Sequence, residues 1–160
     1  LGGFRTPAAR ICRAVNHAAG IRNPSQMPTC ARLDSGRFQS ATIWGIETSM
    51  WQPFVQGRTI GQSGSEAGVI LLDEEHCEGA RITLERDGGV APFAITCGIY
   101  GWMVHTRFFS EKEDARRAYE DMKQALDVIV QSIPFKSDPD YDTKMKATTR
   151  AIGEFVELFP

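Results

Sequence analysis

Lysine is missing from the first 64 residues, and no run of apolar residues anywhere in the 160 approaches membrane length. A bilayer crossing needs about 20 such residues in a helix, so no transmembrane helix is expected. The start lacks the continuous apolar stretch of a signal peptide; it opens on Leu1 rather than a methionine. No C-x-x-C pair links any of the four cysteines, Cys12, Cys30, Cys77 and Cys97, which removes the usual zinc and thioredoxin-like spacings. Wide spacing in a chain long enough to build its own core reads as reduced, mostly buried thiols, and so as a cytoplasmic protein. Neither G-x-x-x-x-G-K-[ST] nor G-x-G-x-x-G occurs, although glycines cluster between Gly57 and Gly68. A phosphate loop needs its lysine and hydroxyl at fixed offsets, so this segment reads as a flexible connection.

Charge is present but unevenly placed. Residues 1–64 hold seven arginines against Asp34 and Glu47, a net of +5, and the remainder holds eleven basic against eighteen acidic residues, a net of −7. Scattered arginine is not the basic cluster of a nucleic-acid site, and no nucleic-acid partner is expected. Opposite charges on the two parts instead suit packing on each other or on a second copy.

What remains is periodicity. Thr6 and Pro7 read as the start of a short N-terminal helix that Gly20 ends. Residues 21–40, broken by Pro24, Pro28 and Gly36, read as loop. Ala41 to Ile46 and Phe54 to Ile60 are candidate short strands, the second demoted to an edge by Pro53 and Gly57. Val69 to Leu72 reads as a central strand, Asp73 to Gly79 as a charged connection, and Ala80 to Arg86 as a half-buried strand. Asp87-Gly88-Gly89 is a tight-turn signal. Val90 to Phe109 is too long for one strand, so a turn or bend is expected at Gly98–Gly101. Ser110 and Glu113 match a capping box that opens a long helix ending at Pro134. Its apolar stripe is Ala115, Ala118, Tyr119, Met122, Leu126, Ile129 and Ile133, widened by Val128 and Val130. A last helix, capped by Ser137 or Asp138, carries Met145, Thr148, Ile152, Phe155, Val156 and Phe159.

These segments predict one α+β domain over residues 1–160: an antiparallel sheet of about three to five strands against a C-terminal helical hairpin. An alternative organisation packs an N-terminal lobe, 1–60, on a βββα unit, 64–134, followed by a helix over 138–159.

Few residues suggest chemistry. Cys97 and His105 fall on one face by parity if the chain turns between them, which makes them the best thiol–base candidates; Cys97 as core is the bland alternative. Asp73, His76 and Cys77 are the densest potential metal ligands, but neighbours in sequence splay, and a solvated connection is the favoured reading. Tyr100, Trp102, Trp44 and Trp51 could stack on a ligand, or serve packing. No cofactor is implied. The expected function is a non-catalytic binding or protein-interaction module, a homo-oligomer or the binder of a protein partner. A small thiol-dependent hydrolase using Cys97 and His105 is the alternative.

Overall fold

The computed structural model describes residues 50–160. Five strands follow one another in space as in sequence: β1 (Trp51–Pro53), β2 (Val69–His76), β3 (Ala80–Arg86), β4 (Phe93–Ile99) and β5 (Met103–Phe109), all antiparallel. Two helices complete it, α1 (Lys112–Ser132) and α2 (Tyr141–Leu158). The architecture is therefore α+β with a C-terminal helical hairpin. The expected N-terminal helix, the 41–46 strand and Trp44 lie outside the described residues.

Alternation decides which sheet face meets the helices. Ala80, Ile82, Leu84, Ile95, Cys97 and Ile99 point to α1 and are almost fully buried, with Ala115, Tyr119, Met122 and Leu126 opposite them. The anticipated stripe of α1 is this buried face from Ala115 to Ile129, while Ile133 lies past the helix end and is half-buried. Val128 is 71% exposed while Val130 is buried, so the face does not widen symmetrically. α2 packs along α1, where the Thr148 hydroxyl donates to the Ser132 carbonyl at 3.4 Å, and its Phe155 ring meets His105 of β5 edge-on.

Four local expectations need correction. The 54–60 strand is instead a tight 3-10 turn, Phe54–Gly57, with Val55 and Gln56 at positive φ; the edge strand precedes it as β1. β2 runs on through the acidic residues to His76, so the connection to β3 is only residues 77–79. Each carboxylate of that stretch finds a partner outside β2, and charge therefore does not end the strand. Ser110 does not cap α1: Glu111 occupies the cap position, and no side chain bonds the first-turn amides there. Likewise α2 begins at Tyr141, after Asp140, with no side-chain cap from Ser137 or Asp138.

The long apolar run is indeed two strands. They join through a turn closed by Trp102 N–H donating to the Ile99 carbonyl at 3.0 Å. Gly101 takes φ +82° at its third position, a value the turn demands and that glycine adopts without strain. The apolar run of β2 has a different cause. A β-bulge lies between Ile70 and Leu72, so Leu71 and Leu72 both pack on the core although they are consecutive.

Candidate functional site

Cys97 and His105 are directly paired across β4 and β5, as parity requires. Their surroundings are those of a core. Cys97 is 2% exposed, and burial pushes its thiol up to about 12. His105 Nε2 lies 2.6 Å from the Phe159 carbonyl, which makes that nitrogen the donor and ties β5 to the end of α2. A nucleophilic cysteine needs a lowered thiol pKa and a base free to take its proton. Here the thiol moves the other way, and one imidazole nitrogen is engaged elsewhere.

The three suggested metal ligands are dispersed. Asp73 lies on the sheet face away from the helices, buried, and accepts a bidentate pair from Arg81 at 2.8 and 2.7 Å and the Thr83 hydroxyl at 3.1 Å. The Arg81 guanidinium is stacked 3.6 Å above the Phe54 ring. His76 faces the helices. Cys77 is disulfide-bonded, and Cys97 is the free cysteine among the described residues. The expectation of reduced thiols fails at Cys77, whose sulfur is committed to a covalent bond. Among the described residues no group of three or more His, Cys, Asp or Glu side chains could hold a metal.

The aromatic candidates among the described residues are also tied down. Trp51 is buried, edge-on to His76 with ring centroids 5.1 Å apart, and Lys123 Nζ lies 5.6 Å from its ring centroid. The Tyr100 hydroxyl donates to Glu75 at 2.8 Å; burial, then that carboxylate, raises its pKa. Trp102 is half-buried against the core.

Two polar constellations escaped sequence reasoning. The first clamps β2 to α1. Glu74 Oε2 accepts the Tyr119 hydroxyl at 2.9 Å and the Lys123 ammonium at 2.7 Å. One turn further on, His76 meets Asp127 at 2.9 Å through Nε2, while its Nδ1 accepts the Glu78 amide at 3.1 Å. An accepting Nδ1 places the proton of the neutral ring on Nε2, directed at Asp127. No hydroxyl or thiol completes a nucleophilic triad with this pair among the hydrogen bonds of the described residues; it joins strand to helix.

The second is centred on Glu85, fully buried on the opposite sheet face. Its carboxylate accepts the Ser65 amide at 2.8 Å, the Ser65 hydroxyl at 3.1 Å, and the Glu66 and Gly68 amides at 3.1 and 3.2 Å. The loop before β2 thus curls its backbone around an internal anion. Gly64 is required by close approach: a Cβ there would sit 2.1 Å from the Glu85 carboxyl carbon. The segment involved belongs to the glycine cluster Gly57–Gly68, which the sequence alone presents as a flexible connection.

His76 gives a pH dependence with a definite sign. Burial lowers its pKa from 6.5, outweighing the opposing pull of Asp127. Below 6.5 the unfolded chain takes up a proton before the folded one does. The stability associated with a neutral His76 is therefore complete above about 6.5 and is lost as pH falls through that value toward the lower folded pKa. In urea titrations at pH 7.5 and 5.5, His76→Gln is expected to show a smaller loss on acidification than the parent. Equal losses in the two proteins would contradict this assignment.

Among the described residues no helix is long and apolar enough to cross a membrane. Comparison with known protein families, with curated proteins and with solved structures found no match.

Proposed function

We propose that this chain is a non-catalytic interaction module that acts as a homo-oligomer. One observation carries the reading: the side chains best suited to chemistry already serve internal structure. Cys97 is buried with a raised thiol pKa, His105 holds the end of α2, His76 holds α1, and Asp73 holds Arg81. Groups spent in this way are poorly placed to meet a substrate. Exposed apolar side chains, among them Val128, Phe108 and Leu158, offer contact surface instead.

The thiol-dependent alternative retains one supporting observation, the direct pairing of Cys97 with His105. Thiol labelling separates the two. Under native conditions at neutral pH, Cys97 is expected to react with a maleimide far more slowly than in urea, by about 100-fold or more, since opening must precede attack. Modification in the native protein as fast as in urea would favour the enzyme. The labelled cysteine is identified by peptide mass spectrometry.

Cellular placement follows the other cysteine. Disulfides persist in oxidising compartments and are rare in the cytosol. The bonded state of Cys77 thus favours an oxidising compartment over the cytoplasm expected from cysteine spacing.

A further inference from the structure

The two edges of the sheet differ. On one side β1 covers the C-terminal half of β2 with three residues, ending in Pro53, which has no N–H to offer. The turn before β2 covers the other half: Gly61 N–H donates to the Ile70 carbonyl and Ile70 N–H to the Gln62 carbonyl, each at 2.9 Å. That edge is blunted along its length. On the other side β5 presents seven residues, and among the described residues its backbone pairs only with β4. A strand of this length, uncovered and bearing only one arginine, is a template for further pairing.

We propose that β5 pairs antiparallel with β5 of a second copy of this chain, about a two-fold axis at Thr106, joining two five-stranded sheets into one. The inference rests on the self-association proposed above and specifies its surface. The strand is self-complementary in this register and in no nearby one. Centred on Thr106, all seven residues pair: Met103 with Phe109, Val104 with Phe108, His105 with Arg107, and Thr106 with itself. Apolar residues thus meet apolar residues, and threonine meets threonine, a favoured cross-strand pair. A centre at Arg107 would set two guanidinium groups opposite each other, which is destabilising. A centre at His105 would run Phe109 past the end of the partner strand. Phe108, 43% exposed, gains Val104 of the other copy as a neighbour.

The surrounding sheet supports the same axis. Asp73, Thr83, Thr96 and Thr106 lie in one row across β2 to β5. Their oxygens are linked in part, Thr83 to Asp73 at 3.1 Å and Thr96 to Thr106 at 3.2 Å. Pairing at Thr106 continues this row into the second copy. Because β5 is the one open edge among the described residues, the contact closes on itself and gives a dimer rather than a fibre.

Sedimentation velocity of the full chain tests the idea with two charge variants. Val104→Lys/Phe108→Lys sets lysine against lysine twice in the homodimer, and Val104→Glu/Phe108→Glu sets glutamate against glutamate. Each is expected to raise the dimer dissociation constant by about tenfold or more. Mixing the two variants should restore dimer, as lysine then faces glutamate. A Thr106→Cys chain supplies an independent readout: self-opposed residues lie within disulfide reach, so it should give a reductant-sensitive dimer on a denaturing gel, absent from the parent and from Val104→Cys. A parent that is monomeric across micromolar concentrations overturns both the self-association and this surface. Dimer persisting in both charge variants leaves self-association standing and overturns the β5 assignment. Variants that dissociate but are not restored by mixing overturn the register. If the charge variants do not fold, lack of the Thr106 cross-link in a dimeric chain overturns the axis.

Discussion

Replacing Glu85 with alanine is expected to lower stability by about 3 kcal/mol or more, measured as the shift in the urea unfolding curve. The carboxylate is the acceptor for three backbone amides and one hydroxyl from residues 65–68. Its removal leaves those donors without the oxygen that holds them, and each buried unmet donor costs about 1–3 kcal/mol. Loop relaxation toward water offsets part of that sum. Glu85→Gln keeps one acceptor oxygen and turns an NH2 group toward the remaining donors, so an intermediate loss is expected. Gly64→Ala attacks the same contact from the other side, through its 2.1 Å clash with the Glu85 carboxyl carbon. A Glu85→Ala protein within about 0.5 kcal/mol of the parent, the range of ordinary surface changes, would mean that the loop does not depend on this carboxylate.

The second large effect belongs to Leu126. It is fully buried in the α1 stripe, within one cluster that contains Ile82, Ile95, Cys97 and Met122. Leu126→Ala is expected to cost about 2–5 kcal/mol, the sum of lost apolar burial and the void left behind. Val128→Ala, two residues on and 71% exposed, should change stability by less than about 0.5 kcal/mol. Similar losses at the two positions would show that the inward face of α1 is wrongly assigned.

The periodic elements were legible because their signal is local. A 3.6-residue repeat marked the buried face of α1, and alternation marked β3, β4 and β5. The end of β2 was not legible because its stabilising partners are remote. Asp73 is matched eight residues away by Arg81, Glu75 by Tyr100 at 25, and Glu74 by Lys123 at 49. Read in isolation, three consecutive acids look solvated. Folded, they alternate between a polar sheet face and the helix interface. The same distance hid His76–Asp127, separated by 51 residues. Ser110 shows the converse failure. A capping-box pattern was present, but α1 starts after Glu111, and the hydroxyl makes no cap bond. For the candidate site, parity correctly set Cys97 beside His105, yet a two-residue pattern carries no information about how deeply the pair is buried. The disulfide at Cys77 had no local mark either, since its spacing to other cysteines followed no motif.

The strand order β1 to β5 repeats the order of the chain, and this has a kinetic consequence. Every strand pairs with its immediate predecessor, so each new ladder closes only a short loop, except for the passage from β1 to β2. Closing short loops sacrifices little chain entropy, and topologies rich in local contacts cross their folding barrier quickly. A longer span is closed by the return of α1 onto β2, which joins Glu74 to Tyr119 across 45 residues and His76 to Asp127 across 51. A ribosome that has released residue 132 has therefore already supplied every strand of the sheet and the helix that shields its apolar face, so the interval during synthesis in which that face lies bare is brief.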